Sequence, residues 1–121
     1  MVVSLPSYRL SPNGTRNRHE RARLAKAARM EAADSCQIIP AHDRPLWPRG
    51  MVLVTATIVL PKGQKKLDQD GAIGLLKSTV DGCQGMVLGN DRQLEWEPVV
   101  WERDPKLRAG IVRLEFREVK A

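Results

Sequence analysis

The sequence predicts an α+β fold: a single domain of 121 residues in which two main helices pack against a small mixed β-sheet. Three patterns carry that expectation. Residues 16–35 are rich in Ala and Arg and free of Gly and Pro, residues 51–60 form a run dominated by Val, Ile and Thr, and residues 111–119 alternate apolar with charged side chains. The length suits one domain. Hydrophobic residues make up 42% of the chain and aromatic ones 4%, so a modest core must be filled by aliphatic side chains, which argues against a disordered chain.

Taken in order, residues 5–15 read as loop after a short opening strand, because Pro6, Pro12, Asn13 and Gly14 interrupt any regular pattern. The helix over 16–35 follows, with Ala22, Ala25, Ala28 and Ala32 giving a small apolar stripe that suits close packing. Pro40, Pro45 and Pro48 make 38–50 a surface loop carrying His42 and Trp47. The run 51–60 is apolar at both parities, as expected of a central strand covered on both faces. Pro61-Lys62-Gly63 ends it, and Asp68 or Asp70 caps a helix to about Val80 with Ile73, Leu76 and Val80 on its buried face and Gly82 as C-cap. Residues 94–101 form an edge strand interrupted by Pro98, and 111–119 a strand with Val112, Leu114 and Phe116 inward. Asp104-Pro105 and Ala109-Gly110 mark a hairpin loop between these two strands.

The formal charge is +6, and all of it lies in residues 1–30, where Arg9, Arg16, Arg18, Arg21, Arg23, Lys26 and Arg29 are opposed only by Glu20. An Arg-rich segment of this kind suits phosphates, although a solvated helix face has the same composition. No apolar run is long enough to span a membrane, and the expected location is the cytoplasm. Cys36 and Cys83 lack a CxxC partner or the spacing of a zinc site, so they are read as reduced packing thiols. Trp47, Trp96 and Trp101 are read as core or interface anchors. No nucleophile-elbow, Walker or dinucleotide fingerprint occurs, which removes the serine hydrolase, NTPase and oxidoreductase classes.

The sharpest local pattern is Lys65-Lys66-Leu67-Asp68-Gln69-Asp70 at the start of the second helix, with Asn90-Asp91 about twenty residues later. Two readings of the paired aspartates stand together: helix capping, or carboxylate ligands for Mg²⁺, which takes one or two carboxylates with water and phosphate. At 100° per residue, Asp70, Gly74, Lys77 and Asp81 share one helix face within about 40°. Gly74 there costs about 1 kcal/mol of helix propensity, as expected if a backbone, metal or phosphate approaches it. Lys77 and Asp81 could equally form an exposed i, i+4 pair.

These blocks resemble the RusA-like endodeoxyribonucleases, a family of phage and prophage Holliday junction resolvases. The resemblance runs through Leu5-Pro6, Ser11-Pro12-Asn13, Arg16 and Arg18-His19 into the basic helix, then through Asp68-x-Asp70, Lys77, Asp81-Gly82 and Asn90-Asp91. It implies a single endonuclease domain over 1–121, with a basic N-terminal loop and helix over 1–35 and a metal-site core over 51–121. It further implies a homodimer in a bacterial host that makes paired symmetric nicks in four-way junctions with Mg²⁺, or Mn²⁺ in its place. By that likeness Asp68, Asp70 and Asp91 are the metal-binding catalytic carboxylates and Lys77 contacts the scissile phosphate. Arg16, Arg18, His19, Arg21, Arg23, Lys65 and Lys66 are the expected DNA contacts. The chain departs from the family pattern at Gly71, where Asn is common, at Asn90, where Asp is common, and in the placing of Lys77. The alternative is a non-catalytic branched-DNA-binding protein that keeps the resolvase fold.

Overall fold

A computed structural model of the protein describes residues 1–119, so the last two residues of the expected core lie outside the described residues. Its regular elements are β1 (Val2–Ser4), α1 (Arg18–Ser35), β2 (Val52–Leu60), α2 (Gln69–Asp81), β3 (Leu94–Trp96), β4 (Val100–Arg103) and β5 (Ile111–Glu118). Short 3₁₀ turns lie at Tyr8–Leu10, Cys36–Ile38, Ala41–Asp43 and Asp91–Gln93. The expected α+β class, with two main helices and a small mixed sheet, is what the chain forms.

The β-branched run becomes the centre of the sheet. β2 pairs antiparallel with β5 on one side and parallel with β3 and β4 on the other, while β1 pairs antiparallel with the far edge of β5. A parallel neighbour requires a crossover, and α2 supplies it between β2 and β3. Inward-facing Val54, Ala56, Ile58 and Leu60 of β2 meet Ala72, Leu76 and Val80 of α2 and Val112 and Leu114 of β5 in the main core. Full burial of each such Leu, Ile or Val side chain contributes about 1.5–3 kcal/mol. Trp96 and Trp101 are half-buried against this cluster, as their reading as anchors required.

Two expectations about the sheet are corrected. The residues expected to form a hairpin do not pair with each other, because β2 lies between β4 and β5 and the segment 104–110 crosses its end. The Asp-Pro and Ala-Gly signals mark a turn correctly, yet turn chemistry says nothing about whether another strand enters between the two arms. Nor is β2 covered by a second layer. Leu53, Thr55 and Thr57 on its other face are only half-buried, and ion pairs reach across this face from β5 to the opposite edge. Arg113 Nη2 meets Glu102 Oε1 at 2.6 Å, and Arg117 pairs with Glu97. The apolar parity of the sequence thus reflects shielding by long charged side chains, whose aliphatic stems cover apolar surface.

The helices meet at small residues. α1 begins at Arg18 rather than 16 because the Asn17 side chain accepts the Glu20 N–H at 3.1 Å and caps it there. Gly82 follows α2 with φ of −66°, an ordinary helical value, so no left-handed cap is formed. Its lack of a side chain serves packing instead, since a Cβ at 82 would lie 2.3 Å from the Arg29 carbonyl oxygen of α1. A second small cluster beside this contact joins Ala32, Cys36, Cys83, Val87 and Leu88, with Trp47 half-buried against it.

Candidate functional site

The expected metal-site residues come from α2 and from the turn before β3. Asp68 is the N-cap of α2, and its Oδ1 accepts the Gly71 N–H at 2.7 Å. A side chain at 71 would place a Cβ 2.7 Å from that same oxygen. That oxygen is the free end of a rotatable side chain, so the cap would tolerate a side chain at 71 with a small shift of the carboxylate, as the Asn90 cap does with Gln93 at the same position. Asp70 lies exposed in the first turn.

One turn further along α2, a cleft of about 180 Å³ opens between that helix and β3. Gly74, Lys77 and Asp81 line it from α2, Asp91 from the following turn, and Leu94 and Trp96 from the sheet side. The helix-face geometry thus holds: Gly74, Lys77 and Asp81 face one cavity, and Asp70 stands on the same face just outside its lining. The ion pairs found among the described residues use Arg9, Arg113 and Arg117 as cations, with His42 beside Asp43 the remaining close contact, so Lys77 and Asp81 are not tied to each other within 4 Å. Both groups are left to face the cleft. The body that approaches Gly74 is the Pro12 ring, whose Cγ would lie 2.6 Å from a Cβ there. This answers the expectation of a backbone, metal or phosphate at Gly74: the N-terminal loop is seated on that spot.

Asp91 is held by a reciprocal cap that sequence reasoning did not single out. The Asn90 Oδ1 accepts the Arg92 N–H at 2.9 Å, and Gln93 Oε1 accepts the N–H groups of Gly89 and Asn90, each at 2.8 Å. The Gln93 amide in turn donates to the carbonyls of Trp47 at 3.0 Å and Gly50 at 2.9 Å, pinning the 38–50 loop to the turn that carries Asp91. The Asn90-x-x-Gln93 spacing is a capping-box pattern and was a readable signal. Asp81 was likewise readable on the Lys77 face, though not assigned a site role.

The described residues contain no group of three or more His, Cys, Asp or Glu side chains spaced to hold a metal ion. Asp68, Asp70 and Asp91 are thus not gathered into one cluster. The cleft does bring two hard-oxygen donors, Asp81 and Asp91, to one cavity, the number of carboxylates that Mg²⁺ accepts alongside water and phosphate.

Of the expected DNA contacts, Arg16, Arg18, His19, Arg23, Lys65 and Lys66 are exposed. Arg21 is not free in the same way: it is half-buried, and its guanidinium donates to the carbonyls of Leu10 at 3.0 Å and Ser11 at 2.8 Å. It clamps the loop that delivers Pro12 to Gly74. Lys65 is tied to the same segment through its carbonyl, which accepts the Tyr8 hydroxyl at 2.5 Å. Partial burial raises the Tyr8 phenol above its ordinary value, so it remains a donor at neutral pH. The Arg-bearing loop, the Lys65-Lys66 segment and the middle of α2 are therefore linked by Tyr8 and Pro12. Compared with protein-family models and with the curated proteins, the chain matches none.

Proposed function

We propose that the protein is a divalent-metal-dependent endonuclease acting on branched DNA, with four-way junctions as its substrate and a homodimer as its working form. The observation that carries this reading is the convergence of Lys77, Asp81 and Asp91 on one cleft whose lip, at Gly74, is covered by the loop leading into the basic segment. A carboxylate pair beside an ammonium suits a phosphodiester: bound Mg²⁺ would supply Lewis-acid stabilisation of the charge developing on the phosphate. Asp81 and Asp91, with Asp70 on the same helix face, are the residues to hold it. Asp68 serves that site by capping the helix that presents Lys77. The Lys77 ammonium neutralises phosphate charge or the leaving oxygen. Exposed Arg16, Arg18, Arg23, Lys65 and Lys66 supply salt-sensitive backbone contacts that carry no sequence information.

A second reading has its own observation. The absence of a three-ligand group among the described residues, with Asp68 engaged in its cap, favours a non-catalytic protein that binds branched DNA through the same basic surface. One experiment separates the two. Purified protein is incubated with a labelled four-way junction or a matched duplex, in Mg²⁺, Mn²⁺ or EDTA, beside Asp91→Asn and Asp81→Asn. The endonuclease reading expects paired nicks on the junction only, lost in EDTA and reduced about 100-fold or more by Asp91→Asn, with junction binding retained. Tight junction binding without nicks in any metal establishes the binding protein instead.

A further inference from the structure

Cys36 caps the C-terminal end of α1 and Cys83 follows the C-terminal end of α2. Although 47 positions apart in sequence, their sulfurs lie 3.9 Å from each other, and both thiols are free. Both are reduced, buried packing thiols, as the sequence suggested, and the fold sets them side by side. The two differ in surroundings. Cys36, 3% exposed, forms part of the wall of an apolar groove of about 640 Å³ together with Ile39, Trp47, Val87 and Phe116. Cys83 is fully buried behind it, outside that wall, with its sulfur 3.7 Å from the Thr79 carbonyl oxygen. A small reagent entering the groove therefore meets Cys36 first and Cys83 second.

We propose that Cys36 and Cys83 form an oxidative modification site, at which a peroxide oxidises Cys36 and Cys83 then closes a disulfide between the ends of α1 and α2. In the first step the Cys36 thiolate attacks hydrogen peroxide. An S–O bond forms, the O–O bond breaks, and the departing hydroxide takes a proton to become water. Cys36 is then a sulfenic acid, oxidised by two electrons. In the second step the Cys83 sulfur attacks the Cys36 sulfur, the S–O bond breaks, and the hydroxide leaves with the Cys83 proton as a second water. Two thiols and one peroxide thus give one disulfide and two waters. A disulfide S–S bond is about 2.0 Å, so the sulfurs have about 2 Å to close.

The local chemistry divides the roles in the same way. The Cys36 thiol is lowered to about 7, chiefly because the Cys83 thiol can donate to its thiolate, with burial opposing and the Met1 ammonium and Arg44 assisting. Cys83 is pushed in the opposite direction by Cys36 and by burial. A thiol held below its usual range on the groove wall suits the attacking cysteine. Oxidation of Cys36 removes the neighbouring thiolate that holds the Cys83 proton, which frees the Cys83 sulfur to attack as the resolving cysteine. The bond would tie α1, which carries the exposed arginines, to the helix that carries Lys77 and Asp81.

The test treats the purified full chain with hydrogen peroxide near pH 7.5 and reads intact mass, peptide linkage and Tm. The expected product has lost two hydrogens, yields a Cys36–Cys83 linked peptide, and melts higher by on the order of 10 °C. In Cys83→Ser, Cys36 stops at the sulfenic acid and is captured by a cyclic dione; in Cys36→Ser, Cys83 stays unmodified. Unreacted thiols, over-oxidised Cys36 without a link, or sulfoxide at Met1 instead of a disulfide would each overturn the proposal. If the serine variants do not fold, limiting iodoacetamide on the native wild-type chain decides: Cys36 is expected to label at least ten-fold faster, and equal labelling or Cys83 first overturns it.

Discussion

Gly74→Ala measures how firmly the N-terminal loop is seated on α2. Inside a helix alanine is favoured over glycine by about 1 kcal/mol, so on an open face this substitution would stabilise. Here the new methyl group would lie 2.6 Å from Pro12 Cγ and 2.9 Å from Pro12 Cδ, well inside the carbon contact distance of about 3.5–4.0 Å. Loop and helix must separate by about 1 Å, and overpacking of this kind costs about 1–3 kcal/mol. The net expectation for Gly74→Ala alone is a loss of about 0–2 kcal/mol. In a Pro12→Ala background both crowding atoms are absent, and the same substitution should gain up to about 1 kcal/mol. The double-mutant cycle therefore predicts a coupling of about 1–3 kcal/mol. Urea unfolding followed by tryptophan fluorescence gives the four stabilities, and any effect of Pro12→Ala on the unfolded chain cancels in the cycle. Equal effects of Gly74→Ala in the two backgrounds, within about 0.5 kcal/mol, would refute the seating of Pro12 on the helix. The link between the basic loop and the cleft would fall with it.

Two further substitutions test the links around the site. Asp68→Ala should cost about 1 kcal/mol through loss of the cap, and Asp68→Ser should recover most of it; equal losses in urea melts would show that the carboxylate does more than cap α2. Tyr8→Phe removes the hydrogen bond to the Lys65 carbonyl and should cost about 0.5–1.5 kcal/mol at pH 7. Because folding raises the Tyr8 phenol, its contribution should be fully present below about pH 10 and fade as pH rises through the folded value, so wild type and Tyr8→Phe should converge only in that alkaline range. A difference that vanishes near neutrality would contradict this assignment.

The local periodicities were legible because each element's pattern is fixed by its own residues. The β-branched run gave β2, the Ala-rich stretch gave α1, and the Asp68 cap with its apolar spacing gave α2. Pairing was not legible to the same degree. Whether 104–110 turns back as a hairpin or crosses the end of β2 depends on which strand reaches the β2 edge first, and no residue within the turn encodes that. The same limit applies to glycine. Gly71, Gly74 and Gly82 stand out in the sequence, but what crowds each one, an Asp68 oxygen, the Pro12 ring or the Arg29 carbonyl, is a tertiary fact. For the site, the Lys77–Asp81 face and Asp91 could be read from spacing. Their meeting in one cleft could not, because it depends on the Gln93 pin that draws distant loop carbonyls to the turn beside Asp91.

The placement of β5 bears on how the chain reaches its fold. Its register joins Val2 to Arg113 and Val52 to Glu118, so the first strand and the central strand both wait on the last one. Helices α1 and α2 can form from local sequence, but β2 then has an unsatisfied edge and an apolar face with no antiparallel neighbour. A strand of this composition, held open, is prone to pair with another copy of itself. Sheet closure is thus a late, long-range event, slow relative to helix formation. During synthesis the growing chain carries this open edge until β5 has emerged.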